Sequence, residues 1–112
     1  MPHAIREALR RVEPTVDVRV IGEPGCPPLG SEDRDLLRWI QDEERILVTR
    51  NRRTIPVYFA EHLAAGGHVA GILLVGEDFS MMQLVEELLL IWAGSEAGEW
   101  RDRLVYLPLT LR

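Results

Sequence analysis

The stretch "RILVTRNRRT", residues 45–54, decides how the rest of the chain is read. Ile46, Leu47 and Val48 make a short, continuously apolar run. A strand covered by helices on both faces reads this way, whereas a half-exposed strand alternates apolar with polar. The chain leaves the run through Thr49, Arg50 and Asn51 and then adds Arg52 and Arg53. In an open parallel sheet, ligands bind beyond the carboxyl ends of the strands, where the following helices start. An arginine cluster at that place, in a chain of net charge -5, is either an ordinary charged loop or the rim of a site.

Working outward, "AGILLVG", residues 70–76, is a second continuously apolar strand. Between the two, Thr54 is placed to cap a helix with Pro56 in its first turn; Ile55, Phe59 and Leu63 line one side, and Gly66-Gly67 ends it. Upstream, Ser31 stands as an N-cap, acids crowd the next turn, and Leu36, Leu37 and Ile40 give residues 32–43 an apolar helical stripe. "VDVRVI", residues 16–21, alternates and predicts a strand near a sheet edge, followed by the loop "GEPGCPPLG", residues 22–30. Ile5, Ala8, Leu9 and Val12 put a helix over residues 3–12. Downstream, Ser80 and Gln83 have capping-box spacing, Phe79 and Leu84 stand where a hydrophobic staple joins, and the helix runs to about Gly94. "RLVYLPL", residues 103–109, is the last strand, with Pro108 marking an edge or the end of pairing. The order αβαβαβαβ predicts an α/β fold, a three-layer α/β/α sandwich with a mostly parallel sheet, as a single domain over residues 1–112. Folds of this kind open on a strand, and here the first strand is missing from the order.

Composition bounds the function. No apolar run approaches the roughly 18 to 20 residues that span a bilayer, and the opening residues lack the apolar core of a secretory leader, so a soluble, cytoplasmic protein with no membrane partner is expected. Cys26 is the only cysteine, which rules out an internal disulfide and a thiolate cluster. The negative charge argues against general duplex binding through a basic face. All 13 basic side chains are arginine; biased genome composition and a preference for carboxylate or phosphate forks both account for that.

Two residues fall at the carboxyl edge by position. Asp33 lies in the first turn of its helix on the inward stripe, and Asn51 lies just past "RILVT". A metal-dependent nuclease needs several carboxylates converging there, because Mg²⁺ and Mn²⁺ take oxygen ligands and must neutralise phosphate charge. Asp33 qualifies as catalytic residue and metal ligand; Asn51 is a neutral oxygen donor. Each also has an ordinary explanation, Asp33 as a dipole and capping residue and Asn51 as a turn former. Arg50, Arg52 and Arg53 form a candidate RNA-facing patch or a solvated loop facing the acidic run Asp42, Glu43 and Glu44. His3, His62 and His68 have no metal-ligand spacing, and there is no glycine-rich phosphate loop or nucleophile elbow. Trp39, Trp92 and Trp100 are read as core or interface residues.

From Ile5 to Leu109 the chain resembles a family of small prokaryotic PIN-like proteins related to VapC-type toxin ribonucleases. The matching pieces are "AIREALRR", "VDVRVIGEPG", "GSEDRDLLRWIQDEERILVTRNRRTIP", "AGGHVAGILLV" and "EWRDRLVYLPL", with "LVTRN" and its offset from Asp33 the most specific. The resemblance implies a parallel α/β/α fold, a Mg²⁺ or Mn²⁺ site of acids at the strand ends, RNA as substrate and a small antitoxin-like protein as partner. Two departures stand out. The family's opening strand, which ends in an Asp, is absent, and the acid expected after the Thr-Arg pair is Asn51. Asp33 matches the helix-start acid, while Asp35 is only its neighbour. Two functions follow: a metal-dependent endoribonuclease of toxin-antitoxin type, or a PIN-like module that binds RNA or a partner without cutting. A receiver-like or flavodoxin-like domain is disfavoured because its acidic pair and Lys are absent. The missing strand would expose a strand edge and the Ile5, Ala8, Leu9, Val12 stripe, so a homodimer is expected.

Overall fold

The structure is a computed structural model that describes residues 2–96 and 98–107. Seven elements follow in order: α1 (Pro2–Val12), α2 (Asp33–Glu43), β1 (Leu47–Thr49), α3 (Ile55–Ala64), β2 (Ile72–Val75), α4 (Met81–Gly94) and β3 (Leu104–Leu107). The strands form one parallel sheet in the order β1-β2-β3, with Leu47 opposite Ile72 and Ile72 opposite Leu104.

Side chains alternate across each strand, and the two faces of this sheet bury different helices. Leu47, Ile72 and Leu74 pack with Leu37 and Ile40 of α2 and Ile55 of α3, and Leu104 leans on the same cluster. Leu73, Val75 and Leu107 pack on the other face with Leu84 and Ile91 of α4, and Ile5 of α1 joins them. The three layers expected from the two apolar runs are therefore present. β2, covered on both sides, carries the deepest residues, with Ile72 and Leu74 both 0% exposed. Gly71 lets β2 enter beneath Trp100: its φ is +153°, and a Cβ there would lie 2.8 Å from the Trp100 Cβ. Trp100 is buried as expected, Trp39 is half-buried and Trp92 is exposed. No helix among the described residues is long and apolar enough to cross a membrane.

Local signals fared unequally. The Ser80–Gln83 capping box forms in both directions. Ser31 does not cap α2: its hydroxyl donates to the Pro28 carbonyl, Glu32 takes the N-cap position without a side-chain cap, and Asp33 and Asp35 occupy the first turn. The last strand is described to Leu107; Pro108 and Leu109 lie outside the described residues.

The main correction concerns residues 16–21. Among the described residues this segment is not a strand. Side chains claim its backbone instead of a ladder. Arg10 of α1 donates to the Val18 carbonyl at 3.2 Å, and the Glu23 carboxylate accepts the Val20 N–H at 2.6 Å. The same carboxylate accepts from Arg6 of α1 and from Arg19, so the Val20 N–H, and then Arg19, hold Glu23 below the ordinary glutamate range. That bond in turn raises the Arg19 guanidinium above its usual value. The alternation that suggested a strand survives as burial, with Val20 buried and Asp17 exposed. The segment is thus fixed to α1, and among the described residues β1 has a paired edge toward β2 and an open edge on its other side.

Candidate functional site

At the carboxyl end of β1 three side chains meet. Thr54 donates its hydroxyl hydrogen to Asp33 Oδ2 at 2.6 Å. The Asn51 amide nitrogen donates to Thr54 Oγ1 at 2.7 Å and lies 3.4 Å from Asp33 Oδ2. Asn51 Oδ1 accepts the Thr54 backbone N–H at 3.2 Å, and the Asn51 backbone N–H donates to Thr49 Oγ1 at 3.1 Å. The orientation of the amide follows from these partners. A backbone N–H needs an acceptor, so Oδ1 must face Thr54 N, which turns the –NH₂ group toward the carboxylate.

Sequence reading placed Asp33 and Asn51 at one edge, and the structure brings them together. It missed Thr54 as a member of the cluster. Thr54 stands at the N-cap of α3 as expected but makes no side-chain cap there; its hydroxyl donates to Asp33 and accepts from the Asn51 amide. The spacing Asn-x-x-Thr after a strand, which suits an Asx turn, was the available signal.

The arginines separate. Arg50 reaches across the carboxyl edge and donates to the Gly76 carbonyl, just past β2, at 3.2 Å. Arg52 stacks its guanidinium over the Tyr106 ring of β3, 5.1 Å from the centroid. Arg53 is exposed. The loop therefore lies along the ends of all three strands, and two of its three arginines are held there. Among the described residues no ion pair joins Arg50, Arg52 or Arg53 to the acids suggested as their partners, Asp42, Glu43 and Glu44.

A divalent cation of the Mg²⁺ or Mn²⁺ class requires converging oxygen donors. Among the described residues no group of three or more His, Cys, Asp or Glu side chains is placed to hold a metal ion. Asp33 brings one carboxylate, and its neighbour Asn51 presents hydrogen-bond donors to it rather than a lone pair. This donor set does not fit such an ion.

A second polar cluster lies at the opposite end of the sheet. Asp102, with φ +57°, accepts from His68 Nδ1 at 2.9 Å and from the Val69 N–H at 2.9 Å, and its own N–H donates to the Val69 carbonyl. The His68 bond, and then that from Val69, holds the Asp102 carboxyl below the usual range. His62 Nε2 faces two acceptors, Gln41 Oε1 at 2.8 Å and the His68 carbonyl at 3.1 Å, so that nitrogen carries the proton. These contacts tie α2, α3 and the start of β2 together.

Comparison with protein-family models, with curated proteins and with solved structures gives no match.

Proposed function

We propose that the protein is a PIN-like module, derived from a metal-dependent ribonuclease of toxin-antitoxin type, that binds single-stranded RNA at the carboxyl edge of its sheet without cutting it. The observation that carries this reading is the Asn51 amide directed at Asp33. Hydrolysis of a phosphodiester by metal-activated water needs acids that converge on the ion, and here a donor occupies that place. The RNA half rests on Arg50 and Arg52, held across the strand ends with Arg53 exposed beside them, and on Tyr106, 49% exposed, as an aromatic surface. On this reading the protein works in the cytoplasm and meets a small antitoxin-like protein. Self-association is not carried forward, because the apolar stripe expected to drive it is largely covered: Leu9 is buried, and Ile5 packs with Leu84 and Ile91 of α4.

The test uses a fluorescein-labelled single-stranded RNA, with anisotropy for binding and gel analysis for cutting. Binding should weaken as salt rises and fall about tenfold or more when Arg50, Arg52 and Arg53 are replaced together by Ala. The RNA should stay intact in Mg²⁺ or Mn²⁺. Absence of binding overturns the RNA half; metal-dependent cleavage abolished by Asp33→Ala overturns the non-catalytic half.

A further inference from the structure

Between the segment at residues 16–20 and the open edge of β1 lies an apolar cavity of about 850 Å³. Its walls come from both layers of the sandwich. Leu9 of α1 and Leu88 and Ile91 of α4 close it on one face, and Trp39 and Ile40 of α2 on the other. It is a gap within the plane of the sheet, with helices above and below.

The edge of β1 is equipped to pair across that gap. Leu47 N–H is committed to the Gly71 carbonyl at 3.0 Å. In a parallel ladder alternate residues address opposite neighbours, so the Val48 N–H and C=O face the cavity. The side chains of Ile46 and Val48 are 40% and 39% exposed, high values for apolar residues of a covered strand. A further donor stands unsatisfied: among the described residues the buried Arg45 Nε has no hydrogen-bond partner, while the same guanidinium reaches Asp17 at 3.1 Å. A buried donor without an acceptor is costly, and backbone carbonyls of an added strand are the natural acceptors.

We propose that this gap is a docking site for a β-strand supplied by a protein partner, which pairs with β1 and extends the sheet. The lining sets the strand's chemistry. Because helices cover both faces of the gap, the strand must be apolar on both faces, like the run Ile72–Val75 of β2, and not alternating. Charge sets its flank. Of the arginines that line the cavity, Arg19 is held by Glu23, Arg45 by Asp17, and Arg50 reaches the Gly76 carbonyl; this leaves the Glu43 and Glu44 carboxylates at the end where β1 begins, so a strand parallel to β1 carries a basic residue just before its apolar run. This is recognition by strand addition, in which the backbone supplies affinity and the side-chain pockets specificity. It goes beyond the RNA reading and does not depend on it.

The probe is the hexapeptide acetyl-Arg-Val-Ile-Val-Leu-Ser-amide, with a control in which Pro replaces Ile. Binding to the full chain is followed by tryptophan fluorescence, since Trp39 and Trp92 line the cavity, and by amide hydrogen exchange at Val48 and Arg50. The peptide should bind saturably and slow exchange at Val48, and the control should not. Val48→Glu, which buries a charge on docking, should weaken binding by about tenfold or more in a chain whose circular dichroism is unchanged. The exchange measurement on the unaltered chain stands even if that variant folds poorly. Equal behaviour of peptide and control, or unchanged exchange at Val48 at saturating peptide, overturns the proposal. So does protection of Val48 that appears without peptide and rises with protein concentration, which would make a second copy the occupant.

Discussion

Replacing Asn51 by Asp converts the neutral cluster at the end of β1 into a pair of carboxylates, and the cost can be worked from the distances. The new oxygen stands where the amide nitrogen now lies, 3.4 Å from Asp33 Oδ2. Both residues are solvent-accessible, so the dielectric is close to that of water, and two unit charges at that distance repel by about 1 kcal/mol. The variant also loses the donor that reaches Thr54 Oγ1 at 2.7 Å, a hydrogen bond of about 1 kcal/mol net. The acceptor for the Thr54 N–H is kept, because an Asp oxygen serves it equally. The sum is a destabilisation of about 2 kcal/mol without divalent ions, or a drop in Tm of roughly 8–16 °C for a small domain. Mn²⁺ should reverse part of it, since two adjacent carboxylates then share a cation. Urea unfolding followed by Trp100 fluorescence, in chelator and in millimolar Mn²⁺, reads both effects. A variant as stable as the parent in chelator, or one whose stability ignores Mn²⁺, would refute the assigned amide orientation and the view that a neutral residue is the defect in the site.

Two further outcomes test the fold. Asp102 has its carboxyl lowered by His68 and the Val69 N–H, so its contribution is present above the ordinary aspartate value of about 4 and is lost as pH falls through the lower folded value. Asp102→Asn should therefore flatten the acid limb of a plot of urea midpoint against pH, and an unchanged limb would remove Asp102 from the account. Leu74→Ala, at a fully buried position of the central strand, should cost about 2–5 kcal/mol in chemical denaturation, whereas a loss below about 1 kcal/mol would contradict the packing described for β2.

What the sequence revealed depended on whether the deciding contact was local. The apolar run at residues 72–75 became a parallel strand covered on both faces, where burial leaves no room for alternation, whereas the run at residues 46–48 became a parallel strand with only Leu47 buried, because its outer edge stands against a gap; Ser80 with Gln83 marked a helix start because both partners lie within one turn. Asp33 and Asn51 could be placed at one edge from helix and strand ends alone. Their relation could not, because it passes through Thr54, whose hydroxyl donates to a carboxylate 21 residues away. The strand expected at residues 16–21 failed because side chains compete for its backbone. Its alternation is genuine, but Arg10 takes the Val18 carbonyl and Glu23, itself held by Arg6 of α1, takes the Val20 N–H, and such side-chain claims on a backbone leave no periodic trace.

The open edge and the polar cluster are linked by one short strand. β1 has only three residues, Leu47 to Thr49. Leu47 is anchored to β2, Val48 faces the gap, and Thr49 Oγ1 accepts from Asn51 N–H and so sets the turn that brings Asn51 to Asp33. A three-residue strand paired on one side has few hydrogen bonds to resist displacement, and its end is the least constrained part. Pairing on the second side would fix Val48 from both edges and restrict where Thr49 and Arg50 lie. A strand docked in the gap would therefore act on the same turn that orients Asn51 and carries the arginine loop, and on the two proposals together β1 is the element that would couple the sites. Linkage requires the effect to be mutual: if the hexapeptide changes RNA affinity by some factor, RNA must change peptide affinity by the same factor.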